Sequence, residues 1–144
     1  MAGRRNFLWQ FLTNRDSVGA IAPSSRGLAR AITAPARACD SPRRWLEVGP
    51  GTGVFTRTLI EAMQAEDHLD VVELNAAFCD VLRTDVLPDA PGTALLHEGS
   101  ILDVELAGNY DAVVCGLPYN AFSTHLSRVI LRRLVSMLRP GGTL

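Results

Sequence analysis

The sequence contains no lysine; its 14 basic side chains are all arginine, set against 15 acids for a net charge of −1. That absence removes the Lys-Ser/Thr pair of a phosphate-binding loop, and is otherwise read as a trait of genome composition. Cysteine is scarce as well. Cys39, Cys79 and Cys115 are odd in number and far apart, which suggests neither a disulfide framework nor a metal knot and suits a reducing cytoplasm. No apolar run reaches the roughly 18–20 residues of a membrane span, and the N-terminal residues lack the apolar core and cleavage site of a signal peptide. What is present, 47% hydrophobic and 20% charged residues in 144, is enough for one globular core.

The small net charge hides an asymmetry. Residues 1–45 carry eight arginines against Asp16 and Asp40, a balance of +6, whereas 46–144 carry six arginines against thirteen acids, a balance of −7. A basic leader on an acidic body either binds an anionic partner, lipid surface or nucleic acid, or docks on the body's own acidic face. Residues 5–13 read as a short amphipathic helix, with Phe7, Leu8, Phe11 and Leu12 at helical spacing and Arg4, Arg5, Gln10 and Asn14 opposite. Trp9 flanks the apolar stripe, so a membrane-surface helix and a helix packed on its own domain both fit. Pro23-Ser24-Ser25 then makes a turn and caps a second helix carrying Leu28, Ala29 and Ile32, with Pro35 near its end.

From Trp45 onward strands alternate with helices. Trp45-Leu46-Glu47-Val48 runs into Gly49-Pro50-Gly51-Thr52-Gly53 and then a helix with Phe55, Leu59, Ile60 and Met63 inward. Leu69–Leu74 reads as a second strand, Asn75 as the cap of a helix with Phe78, Val81 and Leu82 inward, and 87–92 as a loop. Thr93–His97 and Tyr110–Cys115 are further strands, 123–138 is a long helix, and Arg139-Pro140-Gly141-Gly142 reads as a stop before a strand opening at Thr143. The pattern predicts an α/β fold with a doubly wound, mainly parallel sheet. It divides the chain into a basic helical leader, 1–41, and a body, 42–144. Because the chain stops where a strand opens, the expectation is a piece of a longer protein whose C-terminal strands are missing, which would leave the edge of the fourth strand open.

Ligands of such sheets sit outside the carboxyl ends of the strands, and four segments end there. The glycine loop is not the dinucleotide fingerprint, since Gly49, Gly51 and Gly53 are spaced G-x-G-x-G. Glu73, 22 residues beyond Gly51, stands near the offset at which an acid takes a ribose hydroxyl pair, of which a carboxylate accepts two hydrogen bonds at once. Gly99-Ser100-Ile101 offers a polar edge and an apolar face to a base, with Asp103 beside it. Gly116-Leu117-Pro118-Tyr119 follows a strand, where Pro118 holds the backbone extended with carbonyls free for an amine and the Tyr119 ring can face a base or a cation. His68, His97 and His125 show no metal spacing and read as structural or surface groups, His125 being a candidate base beside Tyr119.

Glu47-x-Gly49-Pro50-Gly51-Thr52-Gly53, Glu73 and the Gly-Leu-Pro-Tyr segment together resemble a class I S-adenosylmethionine-dependent methyltransferase over 42–144. The resemblance implies a Rossmann-like fold. It implies S-adenosyl-L-methionine held by Glu47, Gly49, Gly51, Thr52, Gly53, Glu73, Ser100 and Ile101, and no metal. It also implies direct methyl transfer at Gly116, Leu117, Pro118 and Tyr119. The leader segment from Phe11 to Arg26 is similar to that of small soluble bacterial phospholipid N-methyltransferases, which methylate phosphatidylethanolamine toward phosphatidylcholine and attach through an amphipathic N-terminal helix. That resemblance implies a phospholipid substrate, an anionic membrane partner and a cytoplasmic enzyme peripheral at the inner membrane surface. The runner-up is the ribosomal RNA adenine dimethyltransferase group, whose Asn-Leu-Pro-Tyr-Asn segment Leu117-Pro118-Tyr119-Asn120 matches. Gly116 replaces the leading Asn, which accepts from the adenine amine. A nicotinamide-dependent oxidoreductase and a non-catalytic membrane-binding remnant are the remaining alternatives, and oligomeric state is left open.

Overall fold

The computed structural model describes residues 41–144 and, before them, Gly27, Arg30, Ala31 and Ala34, four exposed helical positions. The amphipathic segment at 5–13, the Ser24–Ser25 cap and the apolar positions Leu28, Ala29 and Ile32 lie outside the described residues, so the leader remains a reading of the sequence.

Five strands form one parallel sheet: β1 (Arg44–Val48), β2 (His68–Glu73), β3 (Thr93–Glu98), β4 (Tyr110–Cys115) and β5 (Leu138–Thr143), in the order β3-β2-β1-β4-β5. The central strand, β1, is buried on both faces because both are covered, as in parallel sheets generally. On one face lie α1 (Val54–Ala62) and the helical segment α2 (Ala76–Val81) with its continuation, which bring Leu59, Ile60, Leu82 and Val86 against Trp45, Leu69 and Val71. On the other, α3 (Thr124–Met137) brings Ile130, Leu134 and Met137 against Leu46, Val72 and Val113. The expected cap at Asn75 is in place, its Oδ1 accepting from the Ala77 and Phe78 amides, and the structure adds one at Ser123, whose Oγ accepts from the Leu126 amide.

Two local expectations are corrected. The chain after α2 does not turn to loop at Leu87; it continues as a π-helical turn, Leu82–Val86, and a 3-10 turn, Leu87–Asp89, because burying Leu82 and Val86 keeps the helix wound. Arg139-Pro140-Gly141-Gly142 is not a stop before β5 but lies inside it. An edge strand tolerates a proline that cannot donate, and the pairing Tyr110↔Leu138 then Ala112↔Thr143 absorbs the extra residues as an irregularity. The far edge of β4 is therefore paired.

Charges buried at the amino ends of the strands are matched. Asp67 receives Arg43 Nη2 at 2.6 Å, the Arg43 amide at 2.8 Å and the Gln64 amide at 2.7 Å, while the guanidinium stacks 4.4 Å from the Trp45 ring centre. Asp70 joins three strands: His97 Nε2 lies at 2.7 Å, Tyr110 Oη at 2.7 Å and His68 Nε2 at 3.0 Å. Burial alone would raise the Asp70 carboxyl; the hydrogen bonds from His97 and Tyr110 and the two imidazole charges hold it below its ordinary value instead. His68 and His97 are thus structural, as read from the sequence.

Candidate active site

At the carboxyl ends of the strands the backbone keeps pairing beyond the sheet. The Gly49 amide donates to Val72 O at 2.9 Å, Gly99 to Glu73 O at 2.8 Å and Gly116 to Val48 O at 2.8 Å. These bonds draw the four predicted segments together around a partly open cleft lined by Val48, Gly49, Val72, Glu73, Leu74, Gly99, Ser100, Ile101 and Leu117. Gly49, Glu73, Ser100 and Ile101, predicted for the cofactor, share this wall with Leu117, predicted for the acceptor.

Gly49, Gly51 and Gly53 take φ of 70°, 60° and 87°, a left-handed run that side chains resist. Gly51 donates to Glu73 Oε2 at 3.1 Å, while Glu73 Oε1 accepts from the Leu74 and Asn75 amides, each at 2.8 Å. A carboxylate offers about four acceptor sites, so this one retains a single site, on Oε2. With the Gly51, Leu74 and Asn75 amides kept in place, Glu73 has room for one ribose hydroxyl where the sequence reading expects two. Thr52 is exposed, and Gly53 is buried against Leu82 and Val86; neither lines the cleft.

Glu47 does not line it either. Strand alternation turns its side chain with Trp45 toward α1, where it is fully buried and neither carboxylate oxygen has a hydrogen-bond partner. Burial pushes its carboxyl from 4.5 up to about 8; the nearby Thr56 hydroxyl, itself without a bond of ordinary geometry, tempers the rise and the Glu73 charge adds to it. The folded state therefore holds a proton that the unfolded chain releases above about 4.5. Stability of the empty protein should fall as pH rises from about 5 to 8, by up to ~1.4 kcal/mol per pH unit, and Glu47→Gln should flatten that slope. Urea unfolding at several pH values checks this; equal slopes in both proteins would refute it.

Ser100 Oγ accepts from the Leu102 amide at 3.2 Å, and Ile101 is 2% exposed within the core, so this wall offers the cleft mainly an apolar surface. Asp103 is exposed and stands off the cleft.

In the acceptor segment, Gly116 and Gly49 meet backbone to backbone. A Cβ at Gly116 would lie 2.5 Å from Gly49 O, and one at Gly49 2.7 Å from Leu117 Cδ2. The expectation of free carbonyls is corrected, because a 3-10 turn at Tyr119–Ala121 engages them: Leu117 O accepts from Tyr119, Pro118 O from Ala121 and Tyr119 O from Phe122, at 3.0–3.1 Å. Tyr119 packs edge-on against Phe122, centroids 6.0 Å apart at 75°, and its hydroxyl meets Cys115 Sγ at 3.4 Å. Burial, then the Cys115 contact, raise the Tyr119 phenol above its ordinary value, which leaves it neutral and no base at physiological pH. His125 is exposed in the first turn of α3. The sequence reading missed Val48, Val72 and Leu74 as wall residues, although their strand-end positions mark them, and it missed Cys115, which nothing in the spacing marks.

A family described as "Methyltransferase domain" matches residues 46–142. The chain belongs to this methyltransferase family. Two curated relatives differ in substrate. A ribosomal RNA small subunit methyltransferase A from Nostoc sp. is 34% identical over 91 residues, 57% of this chain and 32% of that protein. An ornithine lipid N-methyltransferase from Singulisphaera acidiphila is 29% identical over 146 aligned positions, 95% of this chain and 73% of that protein. The chain thus spans about a third of the first relative's length and about three quarters of the second's. Among solved structures, a glycopeptide N-methyltransferase complexed with S-adenosylmethionine superposes with a TM-score of 0.63 at 20% identity, over 86% of this chain and 57% of that one. The fold is the class I, Rossmann-like methyltransferase fold, and the family is S-adenosylmethionine-dependent. The nicotinamide alternative is set aside.

The cleft fits that cofactor on its own chemistry. The glycine loop presents backbone with no Cβ in the way, the free acceptor site of Glu73 Oε2 suits one ribose hydroxyl, and the apolar wall at Ile101 and Leu117 suits a base.

Proposed function

We propose that the protein is an N-methyltransferase acting on the headgroup amine of phosphatidylethanolamine at a membrane surface. S-adenosylmethionine, when bound, supplies an already activated methyl group, so the protein's task is alignment of the acceptor with it. The observation that carries the reading is Gly116. At the entry to the acceptor segment it presents no side chain to orient an adenine amine, and its contact with Gly49 leaves no room for one. A lipid amine has no ring to orient and is served by the Tyr119 face, where cation–π attraction favours the ammonium that forms. Tyr119 and the second lone pairs of the Leu117 and Pro118 carbonyls are the groups that remain to hold it. Alignment with the lipid methyltransferase over nearly the whole chain, leader included, supports the same class. The basic amphipathic leader suits an anionic membrane.

Adenine in ribosomal RNA is the second reading, favoured by the Leu117–Asn120 match and by the identity over 91 residues to the RNA enzyme. The two are separated by offering labelled S-adenosylmethionine with phosphatidylethanolamine vesicles and, in parallel, with unmethylated ribosomal RNA. Label in lipid is the expected result. Label in RNA alone, or in neither, would overturn the reading.

A further inference from the structure

We propose that Cys115 is a positioning residue for the acceptor: its thiol fixes the ring of Tyr119 against which the amine docks. This rests on the reading of Gly116–Tyr119 as the acceptor segment. Cys115 is the last residue of β4, locked in register with Val48 beside the glycine loop. Its sulfur is therefore held by the rigid centre of the sheet, whereas Tyr119 sits in a single turn beyond the strand end. The 3.4 Å contact from Sγ to Oη links the two, and the Phe122 ring packs against that of Tyr119 in a T-shaped pair. With the hydroxyl directed back to the sulfur, the group Tyr119 has left for a cation is its ring face. The other described cysteine is placed differently: Cys79 Sγ reaches Glu73 O at 3.5 Å from within the core. Burial raises both the Cys115 thiol and the Tyr119 phenol, so the contact joins two neutral groups and neither serves as nucleophile or base.

A single neutral hydrogen bond sets the scale, roughly 3- to 10-fold. In the full chain, Cys115→Ala should raise KM for phosphatidylethanolamine vesicles by that factor, with the dissociation constant for S-adenosylmethionine changed less than about twofold. Cys115→Ser, which keeps a donor and acceptor at the same place, should restore it. In a Tyr119→Phe background the alanine change should cost nothing further, since the partner hydroxyl is already gone. The contact itself is read by NMR of ring-labelled tyrosine, there being two in the sequence, Tyr110 and Tyr119. Cys115→Ala should move the Tyr119 ring signals and leave those of Tyr110 in place. Unchanged Tyr119 signals, or an equal KM penalty in the Phe background, would overturn the proposal. If the wild-type chain leaves the lipid unmethylated, the acceptor reading fails, and the ring signals still decide whether Cys115 holds Tyr119.

Discussion

Replacing Glu73 by alanine should weaken S-adenosylmethionine binding about a hundredfold. The carboxylate is 3% exposed and accepts from three backbone amides, those of Gly51, Leu74 and Asn75. Its removal strands all three, at roughly 1–3 kcal/mol for each donor left buried and unpaired. Water entering the vacated space would recover part of that. The Gly51 amide is the side-chain tie of the glycine loop to β2, beside the backbone bond from Gly49 to Val72 O, so the loop loses one of its two anchors at the same moment as the cleft loses its acceptor for a ribose hydroxyl. Two losses of about 1.4 kcal/mol each give the hundredfold. Glu73→Gln is the informative companion. Its amide nitrogen would have to face either the Gly51 donor or the Leu74 and Asn75 donors, so it should fall with the alanine variant and not with the wild type. Calorimetric titration of the cofactor into each protein measures this, and wild-type affinity in Glu73→Gln would show that the carboxylate does not organise the loop.

Gly116→Ala should lower methyl transfer by about two orders of magnitude in a protein that still folds. The added Cβ would lie 2.5 Å from Gly49 O, a backbone atom that cannot swing aside. Either the acceptor segment or the glycine loop must shift, and displacement of the order of 1 Å between reacting groups costs about a hundredfold. Overpacking of this kind costs roughly 1–3 kcal/mol of stability, so circular dichroism at 25 °C should stay native while the urea midpoint falls. Because the partner is the cofactor loop, cofactor affinity should drop as well, which a defect confined to acceptor binding would not produce. Gly116→Asn, the residue of the RNA dimethyltransferase segment, should bring no gain in RNA methylation. Transfer to adenine appearing in that variant would show that position 116 selects the acceptor by its side chain and would reopen the RNA reading.

The first four strands and their order of appearance were legible because a parallel sheet covered on both faces needs short, largely apolar segments such as Leu69–Val72 and Ala112–Val114 between turn signals. The Asn75 cap was legible for an equally local reason: it satisfies amides within three residues of itself. The glycine loop declared itself through spacing. What stayed hidden depends on groups brought together from afar or on backbone carbonyls, which spacing does not report. Asp70 meets His97 and Tyr110 only because β1 separates β2 from β4 and β3 lies outside them. Glu73 lines the cleft, yet its bond from the Gly51 amide follows from the close fold-back of the glycine loop, 22 residues away in the chain. The occupied carbonyls of Leu117 and Pro118 follow from a 3-10 turn that Pro118 does not announce.

The central claim is that cofactor and acceptor share one cleft at the carboxyl ends of β1, β2, β3 and β4. Titration of the isotope-labelled chain with S-adenosylmethionine, followed through its backbone amide signals, tests it most directly. Shifts should concentrate at Gly49, Gly51, Glu73, Ser100, Ile101 and Leu117 and leave Asp67 and His68, at the opposite end of the sheet, in place. Binding that moves the Asp67 end and spares the glycine loop, or saturating cofactor that moves neither, would contradict the account.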